Sequence, residues 1–132
     1  MSNIIRYINT DLELVSAQDL ADFATVLESK GLLALHVTCC EDKLWRAAFE
    51  TAVDRPEPEA AITQLIEVIE SLSEPAQTIW HRCVNRSFDI GYECGQQPPS
   101  YKQEISSDLL GRIASVGAAL RITLYPTVNE DG

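Results

Sequence analysis

Histidines and cysteines are the side chains in this sequence whose chemistry is easiest to assess from spacing alone. The candidate metal ligands are His36, Cys39, Cys40, His81, Cys83 and Cys94. Structural zinc sites use ligand pairs two to four residues apart on turns, and neither His36-x-x-Cys39 nor His81-x-Cys83 is joined by a second such pair. Cys39 and Cys40 would also point to opposite faces of a strand. We therefore expect no metal and no cofactor, and we interpret the four cysteines as reduced thiols.

Motifs for covalent or phosphate chemistry are missing from the sequence. No Gly-x-Ser-x-Gly occurs, and Cys94 stands beside Gly95 without a neighbouring base to activate its thiol. The glycines Gly91 and Gly95 interrupt a predicted strand rather than opening a helix, so they do not fit a phosphate loop. Asp89 and Glu93 would lie about 13 Å apart along a strand, too far for an acid/base pair. We predict no catalytic residues.

Length and charge limit the class of protein. With 132 residues, the chain matches one domain, which we place at residues 1–126, followed by a flexible tail at 127–132. Its net charge of −10 argues against binding nucleic acid, because phosphate backbones repel such a surface. No apolar run approaches the ~20 residues of a membrane helix, and the start does not read as a signal peptide, so we expect a cytoplasmic protein without membrane contact.

Apolar periodicity predicts alternating strands and helices. The predicted strands are 7–15, 32–38, 44–53, 85–94, 101–105 and 119–125. A helix capped by Ser16 ends at Gly31, and Pro56 and Pro58 mark the start of a second helix. A shorter helix follows over 75–83, and Ser106 or Ser107 caps a last one that ends at Gly117.

This order predicts an α+β fold with helices on one face of a mostly antiparallel sheet. Its first six elements match the ferredoxin-like, split βαβ plan, which a C-terminal β-α-β would extend. The apolar side chains expected to point inward from the second and last strands are Leu33, Leu35 and Val37, and Leu120, Ile122 and Leu124.

The opposite face of such a sheet would be polar. Side chains predicted there form a ligand or partner face made of His36, Arg46, Glu50, Asp89, Glu93, Arg121 and Tyr125, with Lys102 beside them. This face could be a solvated surface with cross-strand ion pairs, or it could bind a partner, a ligand or a second copy of the chain. The sequence leaves these alternatives open.

The last third of the chain resembles small bacterial α+β domains of unknown function, some of them regarded as immunity-type proteins. The matching stretches are 88–95, 109–117 and 120–126, which correspond to a strand, a helix and a strand. The resemblance implies an α+β fold and supplies no catalytic residues.

Two hypotheses about function follow. Residues 11–28 and 57–74 each hold five acids and no Lys or Arg, which favours a non-enzymatic, immunity-like interaction domain that binds a basic protein. The alternative is a small-ligand-binding or metabolic enzyme domain with a site on the open sheet face or near the loop that begins at Cys94. A homodimer is compatible with either hypothesis.

Overall fold

The computed structural model describes residues 3–53 and 57–126, which form nine helices and strands. The strands are β1 (Arg6–Ser16), β2 (Leu32–Cys39), β3 (Trp45–Thr51), β4 (Asn85–Glu93) and β5 (Ala119–Tyr125). The helices are α1 (Ala21–Ser29), α2 (Pro58–Glu70), α3 (Glu74–Arg82) and α4 (Ser107–Ser115). The expected break at Pro56 and the tail at 127–132 lie outside the described residues.

The five strands form one open sheet in the order β2-β3-β1-β4-β5. The pairs β2–β3, β3–β1 and β1–β4 are antiparallel, and β4–β5 is parallel. The first four strands therefore have the arrangement of the split βαβ plan. Helix α1 connects β1 to β2, and β3 lies between these two strands. Helices α2 and α3 connect β3 to β4, and β1 lies between those two. The predicted α+β class, with a mostly antiparallel sheet, is confirmed.

The C-terminal extension is smaller than predicted. Residues 101–105 are not a strand but part of the irregular segment between β4 and α4. A parallel pair requires a crossover connection, and α4 provides it between β4 and β5. The extension therefore adds only α4 and β5 to the four-stranded ferredoxin-like core, and its first strand is β4, which already belongs to that core.

The core lies between the sheet and its helices. The buried side chains of all four helices join one cluster with those of the strands, and the large, fully buried ones include Phe23, Ile62, Trp80, Phe49 and Phe88. The described helices therefore pack on one face of the sheet. Among the described residues no helix is long and apolar enough to cross a bilayer.

The predicted cap of the first helix is wrong. Pairing with Trp45 of β3 extends β1 through Ser16, whose side chain is fully buried and accepts a hydrogen bond from the Gln18 amide. Helix α1 begins only at Ala21, whose amide donates to the Asp19 carboxylate at 2.7 Å.

The sets of side chains expected to point into the core from β2 and β5 are each wrong in part. A register shift between Ala34 and His36 in β2 moves the alternation by one residue, so Ala34 and Val37 pack against the core while Leu33 and Leu35 are exposed. On β5, Leu120 packs against the core, whereas Ile122 and Leu124 are 57% and 60% exposed.

Arg86 ties β4 to the ends of two helices. Its guanidinium lies over the Trp80 ring and donates to the carbonyls of Trp80, His81 and Cys83 at the end of α3. It also donates to the Gly117 carbonyl, just after α4, at 2.8 Å. A cation at the C-terminus of a helix is favourable because the carbonyls there carry partial negative charge.

Helix α4 has a side-chain cap at its start, as the sequence predicts. The Leu109 amide donates to the Ser106 hydroxyl oxygen at 3.2 Å. The Ser106 amide itself donates to the Glu59 carboxylate of α2 at 2.6 Å, which fixes the helix start against its neighbour.

Replacing the capping serine tests this assignment. We expect Ser106→Ala to lower the free energy of unfolding by about 1 kcal/mol, because an N-cap side chain satisfies an otherwise unpaired amide of the first turn. Ser107→Ala, one position into the helix, serves as the control and should change it by less than about half as much. Urea denaturation followed by far-UV circular dichroism measures both variants; equal losses would contradict the assignment of the cap to Ser106.

Candidate functional site

All seven residues of the predicted ligand or partner face lie in strands. His36 is in β2, Arg46 and Glu50 in β3, Asp89 and Glu93 in β4, and Arg121 and Tyr125 in β5. The register of β4 and β5 pairs Asp89 with Arg121 and Glu93 with Tyr125. Lys102, by contrast, lies in the irregular segment after β4, so the structure does not place it in the sheet.

The centre of this face belongs to β1, which the sequence reasoning did not include. Asp11 is paired directly with Asp89 of β4, and Glu13 is its neighbour two residues along the strand. Glu50 of β3 is close enough to act electrostatically on Asp11. We call these four carboxylates, Asp11, Glu13, Glu50 and Asp89, the acidic row. The alternation Asp11-Leu12-Glu13-Leu14 was the signal that could have found its two missing members.

One guanidinium partly neutralises the acidic row. Arg121 Nη1 lies 3.2 Å from Glu13 Oε1 and 3.6 Å from Asp89 Oδ2. Asp89 also accepts a hydrogen bond from the Thr123 hydroxyl at 2.7 Å. Its side chain is only 11% exposed, so these two donors compensate for the water that it has lost.

Asp11 makes no ion pair with any of the residues that the structure describes. Its Oδ1 accepts a 3.2 Å hydrogen bond from the Asn9 amide, which is a neutral donor. Burial raises the pKa of Asp11 to about 6, and the neighbouring carboxylates of Glu50 and Asp89 contribute to this. Like charges directly opposite each other on neighbouring strands destabilise a sheet. The fold therefore holds Asp11 where its charged form is disfavoured.

The pKa of Glu13 is also raised. Burial raises the pKa of Glu13, and the Asp89 carboxyl raises it further, while the Arg121 guanidinium opposes the shift. The acidic row thus contains two carboxyl groups that hold protons more strongly than isolated ones do, on the face of the sheet opposite to the four described helices.

The remaining predicted residues are engaged at the edges of the face. Arg46 makes two hydrogen bonds to the Asp42 carboxylate, at 2.8 and 3.1 Å, and this contact lowers the pKa of Asp42 to about 2. Glu93 pairs with Arg6 at 3.0 Å. These exposed pairs contribute little stability.

Tyr125 lies over Gly91. A Cβ atom at Gly91 would come within 3.2 Å of Tyr125 Cε2 and 3.0 Å of Asn9 Oδ1. The glycine at this position of β4 therefore leaves room for the tyrosine ring.

A small cavity lies beside the acidic row. It measures about 220 Å³, and its lining includes Glu13, His36, Arg46 and Arg121. Small-molecule sites usually measure about 300–1,000 Å³, so this space is small for a metabolite. Neither Asp89 nor Tyr125 lines it, and the structure does not unite the predicted face into one pocket.

The chemistry available on this face is electrostatic. Within residues 3–53 and 57–126, no three His, Cys, Asp or Glu side chains converge in a way that could hold a metal. The four cysteines are free, and burial raises the pKa of the Cys83 thiol. The acidic row offers carboxylate oxygens to cationic groups, which bind carboxylates through charge-assisted hydrogen bonds.

Comparison with known proteins finds no match among protein-family models, curated proteins or solved structures.

The acidic row predicts a specific dependence of stability on pH. The folded-state pKa of Asp11 is about 6, and an unfolded Asp titrates near 3.9. Because the folded chain holds this proton more strongly, the contribution of Asp11 favours folding below about pH 4 and is lost as the pH rises through about 6.

Asp11→Asn removes this effect. We expect it to raise the free energy of unfolding at pH 7.5 by roughly 1 kcal/mol, after allowance for solvent screening, and to change it little at pH 4. Glu67→Gln makes the same change in net charge at an exposed position of α2 and is the control. Urea denaturation at both pH values measures the effect; a gain for Asp11→Asn no larger than that for Glu67→Gln would contradict it.

Proposed function

We propose that this protein is a non-enzymatic interaction domain that binds a basic protein partner through the open face of its sheet. The observation that carries the proposal is the acidic row, in which four carboxylates lie on three adjacent strands and the Arg121 guanidinium contacts two of them, Glu13 and Asp89. An arginine or lysine of a partner placed beside Asp11 would add a cation to a carboxylate that, among the described residues, forms no ion pair and accepts its hydrogen bond from the neutral Asn9 amide.

The charge of the whole chain supports the same function. With 20 acids and 10 Lys or Arg residues, the protein attracts a basic partner over a long range and accelerates their association. The acidic row would then form the short-range contact. Guanidinium groups suit it best, because a planar fork can contact two carboxylates at once.

An immunity-type role is the concrete form of this proposal. It draws on the resemblance of the last third of the chain to small bacterial domains, together with the acidity that would cover the basic substrate site of a nuclease toxin. It predicts a gene for a basic toxin beside the gene for this protein. A gene neighbourhood without any toxin or secretion gene would contradict the immunity-type role. Binding to a basic partner of another kind is tested separately, by the peptide experiment below.

A hexa-arginine peptide with blocked ends is a defined probe of the acidic row. We expect Asp11→Asn combined with Glu50→Gln to weaken its binding at pH 7.5 roughly fivefold, as the loss of about 1 kcal/mol implies. Lowering the pH from 7.5 to 5 should weaken binding to the unmodified protein, because Asp11 becomes protonated. Calorimetric titration at low salt measures both effects.

The control is Glu28→Gln combined with Glu67→Gln. These exposed helix residues give the same change in net charge away from the sheet face, and we expect less than a twofold effect on binding. If both double variants weaken binding equally, or if Asp11→Asn keeps the full pH dependence, the peptide responds only to net charge and the proposed face is wrong.

A further inference from the structure

A second feature lies on the helix-covered side of the sheet, away from the acidic row. It is a cavity of about 440 Å³ at the β5 edge, and its lining includes Ile5, Tyr92, Cys94, Tyr101, Ile122 and Leu124. Helix α4 covers the sheet near Leu120 but leaves Ile122 and Leu124 more than half exposed. The open space therefore lies above the two apolar side chains that the sequence predicts to be inward.

The walls of the cavity are already held in place. The Tyr92 hydroxyl donates to Gln103 Oε1 at 2.8 Å, and the Tyr101 ring packs edge-on against Tyr92 with 5.4 Å between ring centroids. These contacts fix the irregular segment after β4 opposite β5. A cavity with preformed walls costs little conformational entropy when it is filled.

The N-terminal segment, which contributes Ile5 to the lining, is also held in place. The amides of Gln96 and Gln97 donate to the Asn3 carbonyl, and the Ile5 amide donates to the Gln97 carbonyl at 2.8 Å. A Cβ at Gly95 would lie 2.5 Å from the Asn3 carbonyl oxygen, so a glycine is required for this close approach. The lining thus comes from three separate parts of the chain.

The residue types that line the cavity indicate which class of molecule it suits. Its lining contains no Asp, Glu, Lys or Arg, in a protein where these make up 23% of all residues. Its polar groups are tyrosine hydroxyls, the Gln103 amide and the Cys94 thiol. The volume lies within the range of about 300–1,000 Å³ that is usual for small-molecule sites.

We propose that this cavity is a binding site for a small, uncharged, largely apolar or aromatic molecule. The apolar part of the molecule lies on Ile122 and Leu124 and against the Tyr101 ring, and a neutral polar group faces Gln103. The site is independent of the acidic row, since Ile122 and Leu124 lie on the face of β5 opposite to Arg121.

N-phenyl-1-naphthylamine, an uncharged aromatic dye that fluoresces in apolar surroundings, is the probe for the first test. We expect saturable binding with one dye per chain. Ile122→Thr combined with Leu124→Thr should weaken it at least tenfold. Both residues are exposed and threonine suits a strand, so this variant is expected to keep its fold, which circular dichroism and the urea midpoint check.

The matched control is Leu33→Thr combined with Leu35→Thr. It removes two exposed apolar side chains from β2, the strand at the opposite edge of the sheet, and should leave dye binding unchanged within twofold. Asp11→Asn combined with Glu50→Gln should also leave it unchanged, which separates this test from that of the acidic row. Absence of saturable binding, or equal weakening by the β5 and β2 variants, would overturn the proposal.

Cys94 provides a second readout. Its thiol lines the cavity, whereas Cys39 is exposed in β2. Saturating dye should slow the alkylation of Cys94 by iodoacetamide at least fivefold and leave that of Cys39 unchanged, as measured by peptide mass spectrometry. Bound dye that protects neither cysteine, or both equally, would place the dye elsewhere and overturn the assignment.

Discussion

The central strand β1 determines which side chains lie at the centre of each face of the sheet. It is the middle strand of five, and it is hydrogen-bonded to β3 on one side and β4 on the other. Leu12 and Leu14 are buried beneath the helices, and strand geometry then places Asp11 and Glu13 on the opposite face. A shift by one residue would put carboxylates into the core. The burial of two leucines thus fixes where two carboxyl groups must lie.

The two surfaces proposed to bind partners differ because helices cover only one side of the sheet. On the uncovered side, carboxylates from three strands meet, and partial burial together with their mutual repulsion keeps the pKa of Asp11 high. On the covered side, α4 is too short to protect all of β5, and the irregular segment after β4 forms a wall opposite Ile122 and Leu124 instead. One surface is suited to cations and the other to neutral, apolar groups.

Much of this architecture could be predicted from the sequence, because alternating apolar residues and turn signals define strands and helices directly. The order of the elements was enough to predict the split βαβ plan, and the helix start at Ser106 follows from its cap. Three features depend on tertiary contacts that periodicity does not record. Pairing with β3 extends β1 through Ser16. A register shift in β2 leaves Leu33 exposed. Residues 101–105 form no strand, and Tyr101 packs against Tyr92 instead.

The candidate site was only half predictable for a related reason. Asp89 and Arg121 were recognised because their strands alternate clearly, and the register does bring them together. Asp11 and Glu13 alternate just as clearly, but their role depends on β1 lying between β3 and β4. Strand order is a property of the whole fold, so the meeting of Asp11 with Asp89 cannot be read from either segment alone. The cavity beside β5 likewise depends on where α4 ends relative to the strand that follows it.

The central claim is that, among the described residues, the acidic row holds more carboxylates than the one guanidinium, that of Arg121, which pairs with it. The most direct measurement is the titration of the Asp11 side chain, followed through its carboxyl ¹³C chemical shift by nuclear magnetic resonance. We expect a midpoint at about pH 6, and a lower midpoint when a saturating arginine-rich peptide occupies the face. A midpoint near 4, the value of an isolated aspartate, would contradict the account.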